Sequence, residues 1–163
     1  MSTAELIEEY IETDNDIALT KLLNADPSLA RCITSHNISP LMLSCYYRKT
    51  QIANIILSFL EEPGIHEAAA MGKFENVVNL IHKNFNLVDS ISADGFTPLG
   101  LATYFGHEEV VRYLLLKGAD PNIPSQNGYG VYPLNSSVAA GHNGITKMLL
   151  EAGALVNVSQ SSG

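Results

Sequence analysis

Laid over each other, the segments Pro98–Gly118 and Pro133–Gly153 match at their most constrained residues. Pro98, Gly106, His107 and Gly118 recur as Pro133, Gly141, His142 and Gly153, a period of 35 residues. Running backwards, Gly72 with Val77 and Val78 lies 34 residues before Gly106 with Val110 and Val111. Further back, Ser39-Pro40-Leu41 followed by Ile52 to Leu57 gives the same pattern, with only 24 residues from Pro40 to Gly64. Glu5 to Leu23 reads as a degenerate copy 35 residues before Pro40. Five units, at about 3–37, 38–62, 63–95, 96–130 and 131–163, cover nearly the whole chain. A period of roughly 20–50 residues signals an array of stacked units, because one such unit cannot bury its apolar face alone. The chain is therefore read as one all-α domain built by repetition.

Each unit reads as two short helices. Thr97 is a suitable N-cap, and Pro98 suits the first helical position because its φ is preset and no N–H is needed there. Gly106 ends the first helix, since a left-handed closing residue is cheapest without Cβ. Val110, Val111, Leu114 and Leu115 then recur at helical spacing, and Gly118 closes the second helix. Asp94-Gly95 and Asn127-Gly128, between units, are hairpin-turn dipeptides.

The run from Asp94-Gly-Phe-Thr-Pro-Leu-Gly-Leu-Ala through Gly106-His-Glu-Glu-Val-Val to Gly118-Ala-Asp-Pro-Asn122 closely resembles the ankyrin repeat family consensus. About a dozen positions fall in register, and the openings at Ser39 and Thr97 are similar to those of bacterial ankyrin arrays. The resemblance implies a solenoid of helix pairs with projecting β-turn fingers and a concave face that binds other proteins. It also implies a histidine after Thr-Pro-Leu that ties successive units. Only His66 occupies that position here, where the others have Met42, Gly100 and Asn135, so the tie is expected to be weaker at most junctions.

Three departures stand out. Between Leu60 and Gly64 lie only Glu61, Glu62 and Pro63, which leaves almost no finger between the second and third units. Gly130-Val131 is a two-residue insertion before Tyr132-Pro133. Both are compatible with drift in surface loops or with shaping of a partner's groove. Third, Asn157 aligns with Asn122 and Gly163 with Gly128, so the chain stops at the glycine of a further finger. Solenoids need polar capping units, and Ile145, Met148 and Leu149 are expected to lack such cover. A piece of a longer array is the expectation, with an imperfectly capped end as the alternative. At the other end the acidic first helix reads as a solvated cap, or alternatively as an acidic docking site.

Charge and composition exclude several classes. Nine Lys plus Arg against seventeen Asp plus Glu leave a net charge of −8, with only three arginines. That is not the electrostatic footprint of a nucleic-acid binder, nor a basic face for anionic lipid. The longest strongly apolar stretch, Ile52 to Leu60, falls far below the ~20 residues of a membrane span. Two cysteines, Cys32 and Cys45, match neither a disulfide framework nor a zinc or redox motif. An intracellular, cytoplasmic setting follows as the expectation, with a monomer unless the last unit self-associates.

No catalytic or cofactor arrangement emerges. His66-Glu67 begins like a zinc motif, but Ala70 stands where the second histidine would be. His107 and His142 belong to adjacent units, whose helices pack about 8–10 Å apart, too far for one ion with ~2 Å bonds to both. Gly128-Tyr-Gly130 lacks the strand, third glycine and helix of a dinucleotide loop. Cys45 occupies a small buried position, Cys32 has no evident base, and Glu108-Glu109 favour a helix N-terminus. The chain reads as a non-enzyme without metal or cofactor.

What remains is a binding surface. The family's contacts come from finger tips and the last exposed residues of each first helix. Here those are His36, Tyr46, Tyr47, Met71, Asp94, Phe96, Tyr104, Phe105, Gln126, Asn127 and Tyr129, with Ser35, Ile38, Ala70, Ala93, Ala139 and Ala140 at neighbouring positions. Six of the twelve aromatic residues fall on this face, and Tyr and Phe are overused at interfaces. Tyr47 and Phe105, beside the turn, are equally suited to packing between units. The expected partner is another protein. The alternative is a regulatory or inhibitory domain whose target activity lies outside this chain.

Overall fold

A computed structural model of the chain describes residues 1–156. The equivalences drawn for Asn157 and Gly163 fall outside those residues. Among the described residues the chain forms ten α-helices, two short 3-10 helices and no strand. It divides into two compact units, Met1–Pro63 and Gly64–Gly163.

The N-terminal unit holds α1 (Thr3–Glu12), α2 (Asp16–Ala25), a 3-10 turn (Pro27–Arg31), α3 (Pro40–Tyr46) and α4 (Thr50–Ser58). Ser2 and Glu5 form a reciprocal capping box at the start of α1, and the Ser39 hydroxyl accepts from Met42 N at 3.1 Å before Pro40. Ile7, Ile11, Leu19, Leu23, Leu41, Leu43, Ile52 and Ile56 are essentially fully buried. The turns inside both helix pairs break the glycine rule, because Asp14 and Arg48 take φ of 55° and 59°. Non-glycine residues there carry strain of order 1 kcal/mol or more. Polar contacts at one repeat period join the pairs: Lys49 to Asp14, and Gln51 Nε2 to Asp16 Oδ2 at 3.2 Å.

The C-terminal unit holds α5 (Ile65–Met71), α6 (Phe74–Lys83), a 3-10 turn (Phe85–Asp89), α7 (Pro98–Tyr104), α8 (Glu108–Leu116), α9 (Pro133–Ala139) and α10 (Asn143–Glu151). Thr97 caps α7 by accepting from Gly100 N at 3.0 Å, with Pro98 at the first position. Val110, Val111 and Leu114 are buried against neighbouring helices, while Leu115 is half-buried. Gly106 has φ +79°, and a Cβ there would stand 2.7 Å from the His142 ring. The glycine thus serves twice, as a left-handed helix stop and as a seat for the next repeat's histidine. His107 Nε2 lies 2.8 Å from the Ala70 carbonyl, which can only accept, so this nitrogen carries the proton. His66 Nε2–H likewise donates to Ser90 O at 2.8 Å. His107 therefore supplements the tie that the resemblance placed on His66 alone.

Four expectations are corrected. Ile145 and Leu149 are buried, 2% and 0% exposed, because α10 packs on α9 of its own pair and on α8 of the preceding one. Among the described residues the large exposed apolar side chains at that end are Val138, Leu150, Leu155 and Val156, and Met148 is half-buried. Ile38, at a finger position, is buried beneath its own turn. Cys45 is only half-buried. The acidic first helix is not wholly solvated, since Glu8 is buried.

Two outcomes test this packing. The Thr103 hydroxyl is fully buried and has no hydrogen-bond partner among the described residues. An orphaned buried polar group costs about 1–3 kcal/mol, so Thr103→Val should stabilise the protein by about 1 kcal/mol in denaturant titration. A fall in stability would show that the hydroxyl is satisfied. His66 is held below its ordinary pKa of 6.5, chiefly by burial, with the Ser90 carbonyl, Asp94 and Glu67 opposing that shift. A lowered folded-state pKa contributes stability above the unfolded value that is lost as pH falls through the folded value. Stability should therefore decline as pH drops below about 6.5, and His66→Gln should flatten that limb.

Candidate partner-binding face

In the N-terminal unit the first finger is a tight turn. Thr34 N donates to Ile38 O at 3.0 Å and Asn37, at φ 60°, donates from its backbone to Thr34 O at 3.0 Å. This turn exposes His36, whose ring meets the edge of Tyr47 with centroids 6.4 Å apart. Tyr47 is 36% exposed, and its hydroxyl lies 3.5 Å from Glu12 Oε1. Partial desolvation and the carboxylates of Glu12 and Glu8 push its phenol up from 10.0, so it stays protonated and able to donate. Tyr46 is half-buried.

Glu8 holds this finger in place, a role not assigned from the sequence. Its carboxylate accepts from the Ser35 backbone N–H and from the Ser35 hydroxyl, the latter at 2.8 Å. The signal lay in the repeat itself, since Glu8 stands in the column occupied by the buried Leu43 and Leu101. A charge in an apolar column requires a partner. Burial, then the same carboxylate, push the Cys32 thiol up from 9.0, leaving it protonated and a poor nucleophile.

In the C-terminal unit two fingers lie side by side. The first closes from Ser92 N to Phe96 O at 2.9 Å, and the second from Ser125 N to Val131 O at 2.8 Å. The closing pair spans two more residues in the second, so the inserted pair enlarges its tip. Gln126 N donates to Gly95 O at 2.6 Å, joining the fingers directly. A Cβ on Gly95 would stand 2.7 Å from the Gln126 carbonyl carbon, which makes glycine essential to that approach.

The expected contact residues divide by exposure. Tyr104 (43%) and Tyr129 (56%) stand well out, as do Gln126 and Asn127. Met71, Asp94, Phe96 and Phe105 are half-buried. Asp94 is engaged within its own finger, accepting from Ser92 Oγ at 2.6 Å. Phe105 buttresses Tyr104 edge-on, with centroids 4.9 Å apart, and also stacks on the His107 ring at 6.5 Å. Phe105 thus supports a platform that Tyr104 presents. Val138, Ala139 and Ala140 are exposed on the corresponding part of the next repeat. Among the described residues, no group of three or more His, Cys, Asp or Glu is placed to hold a metal ion. No helix among them is long and apolar enough to cross a membrane.

Comparison with known proteins agrees with this architecture. A family model described as ankyrin repeats in three copies matches residues 65–160. The human DNA-binding protein RFXANK is 44% identical over 64 residues, covering 39% of this chain and 25% of that protein. The rat ankyrin repeat and SAM domain-containing protein 6 is 39% identical over 67 residues, 41% of this chain and 8% of the relative. A putative ankyrin repeat protein of fowlpox virus, FPV240, is 25% identical over 138 residues, 79% of this chain and 33% of its own length. The chain thus spans a minor part of each relative.

The Glu8 contact generates its own check. Hydrogen bonds to charged groups contribute about 1.5–3 kcal/mol each, and glutamine keeps the shape while losing the charge. Glu8→Gln should lower stability by about 1–2 kcal/mol and accelerate hydrogen exchange at the Ser35 amide. Unchanged exchange there would remove Glu8 from the finger's support.

Proposed function

This chain belongs to the ankyrin repeat family, and from that premise we propose that it is a non-catalytic protein–protein interaction module. Ankyrin repeats serve generally as such modules. The partner docks on the face formed by the finger tips and the ends of the first helices. The observation that carries this reading is the exposure of Tyr104 and Tyr129 in the C-terminal unit, with Phe105 packed behind Tyr104. Large aromatic groups left in water gain on burial, and tyrosine hydroxyls can pair with a partner's polar groups. His36 and Tyr47 supply a second aromatic patch in the N-terminal unit, edged by Glu12. That composition suits a partner segment with apolar side chains and some positive charge.

The printed name of one relative refers to DNA binding, a property of that whole protein. Here the net charge of −8 opposes direct contact with a phosphate backbone. Cys32 and Cys45 are thiols and not a disulfide, which supports a reducing compartment such as the cytoplasm.

Tyr104→Ala combined with Tyr129→Ala supplies the test. Hot-spot aromatics lose about 2 kcal/mol or more on truncation, so proteins captured from native lysate by the wild type should be lost with the double variant. Surface truncations away from structural features change stability by only about 0.5 kcal/mol, so the thermal midpoint should scarcely move. An unchanged captured set, or a large fall in midpoint, would assign both tyrosines to structure.

A further inference from the structure

The enlarged finger carries a reactive pair, Asn127-Gly128, whose chemistry is independent of the contact role expected for Asn127. Asn127 and Gly128 are both exposed at its tip. Gly128 has φ +89°, and a Cβ on it would meet nothing within 4 Å, so the finger's tip is uncrowded around this residue. Among the described residues its N–H donates no hydrogen bond. The Asn127 side-chain oxygen, by contrast, accepts two. One comes from Ser125 Oγ at 2.8 Å and the other from Tyr129 N at 3.2 Å. Val131 N donates to the same serine oxygen at 2.9 Å, which orients its hydroxyl proton toward Asn127. The bond to Tyr129, two residues on, folds the side-chain amide back over the peptide that carries the Gly128 nitrogen.

We propose that Asn127-Gly128 is a self-modifying site, where the asparagine amide cyclises onto the next backbone nitrogen and is hydrolysed to a carboxylate. Hydroxide removes the Gly128 amide proton, and the nitrogen attacks Asn127 Cγ. The carbonyl electron pair moves onto Oδ1, where the Ser125 hydroxyl and the Tyr129 N–H already point. When that intermediate collapses, the Cγ–Nδ2 bond breaks, and the nitrogen takes a proton from water and leaves as ammonia. Water then opens the cyclic imide at either carbonyl, giving aspartate or its β-linked isomer with the chain intact. Nothing is oxidised or reduced; water is consumed and ammonia released.

The fold already accepts the aspartate product. Asp94-Gly95 occupies the equivalent place in the preceding finger, where Asp94 takes the Ser92 hydroxyl at 2.6 Å just as Asn127 takes that of Ser125. Conversion adds a negative charge beside Tyr129, and the β-linked form lengthens the finger's backbone. The site changes the finger's charge with age whether or not this face binds a partner.

The chain contains its own control. Asn143-Gly144 is exposed as well, but Asn143 is the first residue of α10. Its carbonyl accepts the helix's own hydrogen bond, and helical Cα–Cβ bonds lean toward the N-terminus, away from the following nitrogen. Ring closure there requires rotation out of the helical ψ near −42°.

The test holds the purified chain at mildly alkaline pH, folded and in urea, with peptide mapping by mass spectrometry and enzymatic isoaspartate methylation over time. In the folded chain Asn127 should convert at least ~10-fold faster than Asn143, the ratio set by a barrier gap of about 1.4 kcal/mol. In urea the two rates should converge, since glycine follows both. Equal rates in the folded chain, faster conversion at Asn143, or an intact Asn127 would overturn the proposal.

Discussion

A pair of helices seven and nine residues long, such as α7 and α8, buries too little to persist alone. Isolated helices shorter than roughly 12–15 residues are marginal in water. Contact between successive pairs within each unit is therefore the interaction on which the remaining structure depends. Leu99, Leu101, Val110 and Leu114 reach full burial through neighbouring repeats as well as through their own. In repeat proteins each interface supports only its neighbours, so each junction inside a unit must be individually sound.

The polar groups that reinforce these junctions act at about one repeat period. Lys49 meets Asp14, and His107 donates to the Ala70 carbonyl. Asn122 bridges to Gly153 O and Leu155 N, at 3.0 Å each. Seating a histidine ring over Gly106 is possible only because that residue lacks Cβ. The same parts thus stop a helix, lock two repeats and leave the finger tips free to vary. Exposed aromatic residues can then be displayed on a rigid scaffold at little cost to stability.

How much was legible follows from the range of each determinant. The caps at Ser39 and Thr97, the prolines after them and the periodicity of Val110, Val111 and Leu114 are local signals, and the helices form where they predict. Glu8 was read as part of a solvated helix because its partner Ser35 lies 27 residues away. Asp14 and Arg48 disguised two turns, since residues with Cβ stand where other repeats use glycine. The expected contact positions could be listed from the repeat, but their relief could not. Tyr104 and Phe105 are adjacent in sequence and similar in chemistry, yet one stands out and the other leans on it.

By itself, the sequence determined the repeat, the helix pairs and the family, because a period with caps, prolines and closing glycines leaves few other ways to bury the apolar positions. Tertiary structure decided which members of that pattern reach solvent. Ile145 and Leu149 are covered while Val138 and Leu150 are not, as helix periodicity gives a face but not what the neighbouring helices cover. It decided equally that Glu8 serves the first finger and that Gly130-Val131 enlarges the one closed by Ser125 and Val131. Those outcomes depend on distances between residues far apart in the chain, which packing sets and local propensity does not.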